Sequence, residues 1–176
     1  FTVIPTPDNK VEDDEIVTIG MTTVDNTPSF DDINITDLAA VTINNDDSTE
    51  VTLVADLDVN EDAGNAIITA TLSNPVQGGF ALNITTLDGT AVAGSDYTGF
   101  NNVPVATFAG TAGETQQILI PIIDDTQGEL TEDFTVNLSF VSGTTLGGSI
   151  TTMSSSIVTI TDNDAPVVSD VFVPAD

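Results

Sequence analysis

Residues 121–134, PIIDDTQGELTEDF, place five carboxylates in fourteen positions directly behind an apolar strand. The whole chain has 28 Asp and Glu but a single base, Lys10, and its formal net charge is −27. Internal salt bridges therefore cannot neutralise the acidic run. Carboxylate oxygens in this density are the ligands that hard divalent cations prefer, so the run raises the question of a metal site.

The residue types that the chain lacks exclude several classes of function. There is no His, no Cys and no Arg, so catalytic triads, zinc sites and iron–sulfur sites have no bases or ligands to use. Nucleic acids and anionic membrane surfaces both attract Lys and Arg. We therefore expect no nucleic-acid partner and no direct membrane contact, and no apolar run is long enough to span a bilayer.

Apolar and polar residues alternate along most of the chain, which predicts strands, whereas no stretch keeps a helical apolar period over three turns. Turn residues such as Asn74-Pro75 and Asp88-Gly89 separate the strands. Seven strands are predicted, at 51–57, 66–73, 80–86, 104–108, 118–123, 134–140 and 156–161. Seven short strands over this length predict an all-β, antiparallel β-sandwich, and an apolar content of 40 % suffices for its core.

The first part of the chain repeats the last part of this pattern. Residues 3–21 align with 120–138, and 41–47 with 158–164, each at an offset of 117 residues (from 3 to 120 and from 41 to 158). A fixed offset of this kind indicates a tandem repeat. We interpret 1–47 as the C-terminal half of one repeat, 48–164 as a complete repeat, and 165–176 as a linker and first strand of a following repeat.

The chain opens in mid-strand at FTVIP, without an initiator Met, so we expect a segment cut from a longer polypeptide. Three strands of a sandwich cannot bury their own apolar face. We therefore expect 1–47 to be completed by neighbouring repeats, in the same chain or in another chain.

Strand direction predicts where the carboxylates lie. If consecutive strands reverse, the chain leaves strands one, three, five and seven at the same end of the sandwich. The acids that follow those strands are Glu61, Asp96, Asp124, Asp125, Glu129, Glu132, Asp162 and Asp164, whereas the loops at the opposite end hold one acid, Glu114. Like charges at about 4 Å repel by roughly 4 kcal/mol at an effective dielectric of 20, so loops splay, pKa values rise, or cations enter.

Ca²⁺ is the cation that suits this end of the sandwich. It accepts six to eight oxygen ligands in flexible geometry, which four loops and a backbone carbonyl such as that of Gln127 could supply. Mg²⁺ keeps its waters and requires a smaller octahedral site, and zinc or copper would prefer His or Cys. Acidic runs are also common as solvated surface or as an adaptation to high salt, and this alternative is preferred for the scattered acids Asp13, Asp31, Asp32 and Glu50.

Four stretches together resemble the Calx-beta motif in order and spacing: VNEDAG (59–64), LDGTAVAGSDYT (87–98), PIIDDTQGELTEDFTVNLS (121–139) and VTITDND (158–164). The resemblance implies an immunoglobulin-like sandwich of seven strands that binds several Ca²⁺ ions at one tip. It further implies Glu61, Asp96, Asp124, Asp125, Glu129, Glu132, Asp162 and Asp164 as side-chain ligands, and Gln127 as a carbonyl ligand.

Some positions depart from the acid-rich form of that motif. Thr126 replaces a third Asp in the DDD run, and Asn163 replaces the middle acid of the last run. In the preceding copy, Pro7 stands where Asp124 does and Asn45 where Asp162 does, while Asp8, Glu12, Glu15 and Asp47 remain, with Asp46 matching Asn163. The resemblance therefore implies fewer or weaker ions in the preceding copy.

Our main functional interpretation is a calcium-binding structural repeat that stiffens a secreted or cell-surface adhesin or fibre, expected to be bacterial, with an unknown adhesive ligand. The alternative is a regulatory Ca²⁺-sensor domain pair of the exchanger type, which would bind at micromolar rather than millimolar calcium. We do not expect an enzyme or a carbohydrate-binding module, because the carboxylates crowd on a tip, Trp is absent and the only Tyr, Tyr97, is interpreted as a packing residue.

Overall fold

The computed structural model describes residues 2–20, 38–54, 56–152 and 154–165. Strands dominate, because the β-branched residues of each alternating stretch fit a half-buried pleated surface. The strands are β1 Glu15–Gly20, β2 Leu38–Ile43, β3 Thr49–Leu53, β4 Leu57–Asn60, β5 Asn65–Leu72, β6 Phe80–Asp88, β7 Asn101–Phe108, β8 Thr115–Pro121, β9 Glu132–Ser142, β10 Ile150–Thr151 and β11 Ser155–Thr161. Single 3₁₀ turns occur at Glu61–Ala63 and Gly147–Ser149. No helix in these described ranges is long and apolar enough to cross a membrane.

Two sheets are built from residues 48–164, which the sequence predicts to be a complete repeat and which are here called the repeat domain. One has the strand order β10-β3-β5-β8 and the other β4-β11-β9-β6-β7. The inward-facing residues of β5 and β8, such as Ile68 and Ile120, belong to the same buried cluster as Leu82, Phe134 and Val158 of the other sheet. This architecture confirms that the fold is all-β and sandwich-like, whereas the immunoglobulin-like arrangement and the tandem repeat stay predictions.

The strand count differs from the prediction of seven, since nine strands lie within the described residues of the repeat domain. The predicted first strand, 51–57, serves both sheets: Leu53 pairs with Ala70 in one, and Leu57 pairs in parallel with Val158 in the other. Asp56, with φ of 41°, lies at the change of sheet. A second parallel pair joins Ile150 to Thr49, so the sandwich is not wholly antiparallel.

Residues 2–20 and 38–47, here called the N-terminal segment, contribute a separate two-stranded sheet. Strands β1 and β2 pair antiparallel from Glu15↔Ile43 to Gly20↔Leu38. Strands β9 and β11 pair from Glu132↔Ile160 to Asn137↔Ser155, which is the same register displaced by 117 residues in both strands. Ile16 is 69 % exposed and Leu38 73 %, so the described residues leave much of this sheet's apolar surface uncovered.

The predicted third copy, 165–176, lies outside the described residues apart from Ala165.

The end of the sandwich that carries a single acid uses it to close a loop. The Glu114 carboxylate accepts hydrogen bonds from the N–H groups of Ala109, Gly110 and Thr111 at 2.8, 2.9 and 3.2 Å, and from the Gln116 amide at 2.9 Å. These donors lower the pKa of Glu114 to about 2, against the opposing effect of its burial, which is the largest single influence. An ionised carboxylate therefore organises this loop.

We predict that Glu114→Gln lowers the free energy of unfolding by about 1–3 kcal/mol at neutral pH, because charge-assisted hydrogen bonds are lost. Since the folded pKa lies below the ordinary value of 4.5, the contribution is present above pH 4.5 and is lost as pH falls towards 2. Urea unfolding between these pH values measures it as the difference between wild type and variant. The control is Glu50→Gln at an exposed carboxyl, and an equal effect of both changes would contradict the prediction.

Candidate metal centre

The acidic end is built by the loops that follow β4, β6, β8 and β11, as strand direction predicts. The 3₁₀ turn after β4 turns Glu61 into the interior, where it is 5 % exposed. Its Oε1 accepts a hydrogen bond from the N–H of Asp125 at 3.1 Å, so the first of these loops is joined to the third. The second loop joins the third as well, since the N–H of Ile123 donates to the carbonyl of Asp96 at 2.9 Å.

Glu61, Asp162 and Asp164 form one group of carboxylates, whose ligand oxygens lie within 4.8 Å of one another. Asp162 is oriented by the backbone, because its Oδ2 accepts the Glu129 N–H and its Oδ1 the Asp164 N–H, both at 2.9 Å. Oε2 of Glu61 and Oδ2 of Asp164 are buried without a hydrogen-bond partner. A buried carboxylate oxygen without a donor is costly, so a cation beside these two atoms would be favourable.

Asp96, Glu129 and Glu132 form a second group, also with ligand oxygens within 4.8 Å of one another. The N–H of Val92 donates to Oδ2 of Asp96 at 2.6 Å and fixes that side chain. The two groups meet at a cavity of about 10 Å³, lined by Glu61, Asp96, Glu129, Leu130, Glu132, Ile160 and Asp162. This volume is about that of one water-sized sphere, so the cavity has room for one small ion.

The pKa values of these carboxyl groups diverge. Burial is the main influence that raises the pKa of Glu61, Glu129, Glu132 and Asp164, and neighbouring carboxylates add to it. In contrast, hydrogen bonds from backbone N–H groups lower the pKa of Asp162. The pKa of Asp125 is also lowered, mainly by the N–H of Gln127 at 2.6 Å. Without a cation, therefore, backbone hydrogen bonds stabilise the negative charges of Asp125 and Asp162, whereas the charged forms of the other four carboxyl groups are disfavoured.

These residues fit a bound Ca²⁺ ion. All donors are oxygen atoms, two of them are buried and unpaired, and no His or Cys competes. Glu61, Asp162 and Asp164 would supply one set of ligands, and Asp96, Glu129 and Glu132 a second set. Bound Ca²⁺ would supply the positive charge that the chain lacks.

The remaining predicted ligands are placed less centrally. Asp124 is exposed and belongs to neither group, although its charge is among those that raise the pKa of Asp164. Asp125 also lies outside both groups, and Gln127 caps it through its N–H and its side-chain amide, at 2.6 and 3.3 Å. The predicted ligand role of the Gln127 carbonyl stays a prediction.

The acids predicted in the preceding copy are not gathered in the same way. Asp8, Glu12, Glu15 and Asp47 line an open cleft of about 600 Å³. Within 2–20 and 38–47, no three carboxylates bring ligand atoms within 4.8 Å of one another. One of these acids is paired with a base instead, since Nζ of Lys10 lies 2.8 Å from Oε2 of Glu12.

Asp88 holds the loop after β6 in place, a role that the sequence did not predict beyond the turn with Gly89. Its Oδ1 accepts hydrogen bonds from the Tyr97 hydroxyl and, at 3.0 Å, from the N–H of Ala93. Tyr97 is fully buried and stacks on Phe134 with ring centroids 3.9 Å apart. Burial and the Asp88 hydrogen bond raise the pKa of Tyr97 to about 12. This packed tyrosine fixes the backbone next to Asp96. The only sequence signal for it was an Asp nine residues before a lone Tyr.

We predict that Tyr97→Phe keeps the ring stack but costs about 1 kcal/mol in the free energy of unfolding, because Asp88 loses its hydroxyl donor. Chemical denaturation at pH 7 measures the change. Thr90→Val, which removes the hydroxyl that donates to Asp133 at 3.1 Å in the same loop, is the control for loss of a more exposed hydrogen bond. A Tyr97→Phe variant as stable as wild type would show that the ring alone holds the loop.

We predict that the calcium-free protein becomes more stable as pH falls from 7 towards about 5. Folding raises the pKa of Glu61, Glu132 and Asp164, so the folded state binds protons before the unfolded state does, and stability rises as pH approaches their folded pKa values from above. Below about pH 4 the lowered pKa of Asp125 and Asp162 reverses the trend.

Melting temperatures in chelator-treated buffer across this range test the pH dependence. Glu61→Gln removes one of the raised pKa values and should flatten the rise. A melting temperature that falls steadily from pH 7 to 5 in wild type would contradict the prediction.

Several solved structures are similar to this chain. The apo-form Calx CBD1 domain is 22% identical over 67% of this chain and 100% of that chain, with a TM-score of 0.53. CBD12 from CALX1.2 is 24% identical over 65% of this chain, with a TM-score of 0.54, and the calcium binding domain CBD12 of CALX1.1 is 24% identical over 62%, with a TM-score of 0.50. The matched parts span 46% and 42% of these two structures, less than half of each.

At these identities the structural likeness shows a shared fold. A comparison with curated proteins gives no match. The sequence model of the Calx-beta domain, in contrast, matches residues 44–164, which is more than half of the chain and includes every carboxylate of the two groups. The chain therefore belongs to the Calx-beta domain family.

Proposed function

We propose that the acidic end of the repeat domain binds Ca²⁺. The observation that carries the proposal is the pair of buried, unpartnered oxygens, Oε2 of Glu61 and Oδ2 of Asp164, set among carboxylates from several loops. Membership of the Calx-beta family supports it, and so does the fold shared with a structure described as a calcium binding domain. Bound Ca²⁺ would supply positive charge, while the residues of this chain hold the loops in place to receive it.

The loops respond to calcium through repulsion and its relief. Without the ion, Glu61, Glu132 and Asp164 carry charges that burial and neighbours disfavour. With the ion, the loops after β4, β6, β8 and β11 are drawn to a common centre. A calcium-dependent change in loop order follows, and a regulatory Ca²⁺-sensor domain of the exchanger type uses such a change. The fold shared with two CBD12 structures supports this role.

The second candidate is a structural role, in which tandem repeats stiffen a secreted or cell-surface protein when calcium is bound. One observation favours it: the β1–β2 and β9–β11 pairs have the same register at a displacement of 117 residues. On this proposal, 1–47 is half of a preceding copy, and neighbouring repeats cover its exposed Ile16 and Leu38. Affinity separates the candidates, since sensors bind at about 10⁻⁷–10⁻⁵ M and extracellular modules at about 10⁻⁴–10⁻³ M.

We predict that calcium at about one hundred times its dissociation constant stabilises the protein by about 2.7 kcal/mol, which raises the melting temperature by roughly 5–10 °C. Thermal unfolding with calcium and with chelator measures this shift, and titration calorimetry gives the affinity. Asp164→Asn should remove much of the shift because it deletes a buried ligand. Asp58→Asn, at an exposed acid on the strand before Glu61, is the matched control. A melting temperature that millimolar calcium does not move would refute calcium binding.

A further inference from the structure

The N-terminal segment is attached to the repeat domain at the end opposite the proposed ions. Val11 is fully buried there. Its N–H donates to the carbonyl of Pro75 at 2.9 Å, and its carbonyl accepts the N–H of Gln77 at 2.8 Å, which forms a parallel bridge with Val76. We call Val11, Asp13, Pro75–Gln77 and Thr145 the joint.

Side-chain contacts complete the joint. The N–H of Asp13 donates to Oε1 of Gln77 at 2.9 Å, and the Thr145 hydroxyl donates to Oδ1 of Asp13 at 3.1 Å. Glu12, which lies between Val11 and Asp13, faces the cleft lined by Asp8, Glu12, Glu15 and Asp47, here called the acidic cleft. The N–H of Glu12 donates to Oδ1 of Asn45 there, at 3.2 Å. One extended stretch therefore alternates between the joint and the acidic cleft, so repulsion in the cleft acts directly on the joint.

The stretch has the same local structure as its counterpart in the repeat domain. The N–H of Lys10 donates to Oδ1 of Asp8 at 2.9 Å, as the N–H of Gln127 does to Asp125. The N–H of Glu12 donates to Asn45 where the N–H of Glu129 donates to Asp162. These contacts align at the offset of 117 residues, so Lys10 occupies the position of the neutral Gln127.

The charges at the equivalent positions differ. Residues 124, 125, 127, 129, 132 and 162–164 include six acids and no base, whereas residues 7, 8, 10, 12, 15 and 45–47 include five acids and one base. The Lys10 ammonium lies 2.8 Å from Glu12, and Asp8 and Glu15 are close enough to help raise its pKa. This is the only basic side chain of the chain, placed where the acidic cleft adjoins the joint.

We propose that the Lys10 ammonium is a built-in counterion that keeps the joint closed without calcium. An exposed ion pair adds little stability by itself, and Lys10 is 41% exposed. Its effect is to offset the mutual repulsion of Asp8, Glu12 and Glu15, which would otherwise push apart the stretch that carries Val11. The N-terminal segment and the repeat domain then stay docked at calcium concentrations that leave the acidic end of the repeat domain empty. The statement about calcium occupancy of that acidic end rests on the proposed function, whereas the role of Lys10 at the joint does not.

Amide hydrogen exchange by NMR tests this proposal at low ionic strength. The reporters of the joint are the N–H groups of Val11 and Gln77, and those of Glu129 and Asp164 report on the proposed calcium site in the same sample. In wild type we expect equal protection of Val11 and Gln77 with chelator and with millimolar calcium. In Lys10→Gln, which installs the residue of the other copy, protection of Gln77 should fall about tenfold with chelator.

Three further arms make the result decisive. Lys10→Arg keeps the charge and should behave as wild type. Val11→Gly, which installs the counterpart Gly128, removes the buried side chain and gives the protection of Gln77 in a weakened joint. About 0.5 M salt should restore protection in Lys10→Gln, because the repulsion is screened.

Two outcomes would overturn the proposal: a wild-type joint that exchanges freely with chelator and closes only with calcium, or a Lys10→Gln joint as protected as wild type. Failure of the proposed function would be visible separately, as Glu129 and Asp164 amides that do not respond to calcium. In that case the chelator data on Val11 and Gln77 still decide whether Lys10 holds the joint.

Discussion

Repulsion among carboxylates at one end of a β-sandwich is the constraint on which the rest of the structure depends. The chain has 28 acids and one base, so the repulsion cannot be removed by ion pairs. Two sheets packed on a common core fix the ends of β4, β6, β8 and β11 and therefore hold the acidic loops together. Backbone N–H groups support Asp125 and Asp162, but they leave one oxygen each of Glu61 and Asp164 buried and unpaired. The core thus maintains an arrangement that the acidic loops would not adopt by themselves.

The two ends of the repeat domain differ in how many hydrogen-bond donors surround each carboxylate. Glu114 accepts hydrogen bonds from three successive backbone N–H groups and from Gln116, which stabilise its negative charge and close a loop. At the other end, backbone donors are too few for the number of acids, and the deficit is what a divalent cation would fill. Donors lower the pKa of Glu114, whereas burial with too few donors raises the pKa of Glu61 and Asp164. Asp162 combines the two situations, because it accepts two backbone N–H groups and still belongs to a group of candidate ligands.

The sequence predicted the features that follow from apolar alternation and from the reversal of strand direction. It did not predict contacts that are independent of any repeating pattern. Alternation located strands such as β6 and β11 to within two residues, and strand reversal predicted that Glu61, Asp96 and Asp162 face the same end. The change of sheet at Asp56 was missed, because the apolar pattern of 51–57 continues through the residues where the strand leaves one sheet for the other. The Tyr97–Asp88 hydrogen bond was missed because it forms inside an irregular loop, where no periodic pattern predicts which side chains meet. The burial of Val11 was missed because it depends on contacts with Pro75–Gln77, which are distant in the sequence. At the offset of 117 residues Val11 aligns with Gly128, so the predicted repeat gave no indication that Val11 is buried.

Two acidic stretches of the chain make matching hydrogen bonds but carry different charges, which indicates that the backbone fold and the charge are set independently. The fold of the loop depends on acceptor oxygens at two positions, Asp8 or Asp125 and Asn45 or Asp162. An amide oxygen accepts the hydrogen bond of a backbone N–H as a carboxylate does, so Asn45 preserves the contact while removing a charge. Lys10 likewise keeps the backbone hydrogen bond of Gln127 and adds an ammonium. Substitutions of this kind leave the strand register unchanged and alter only the electrostatic demand for a cation. The same backbone fold can therefore be combined with different charges, and the charges alone would decide how strongly each stretch requires a cation.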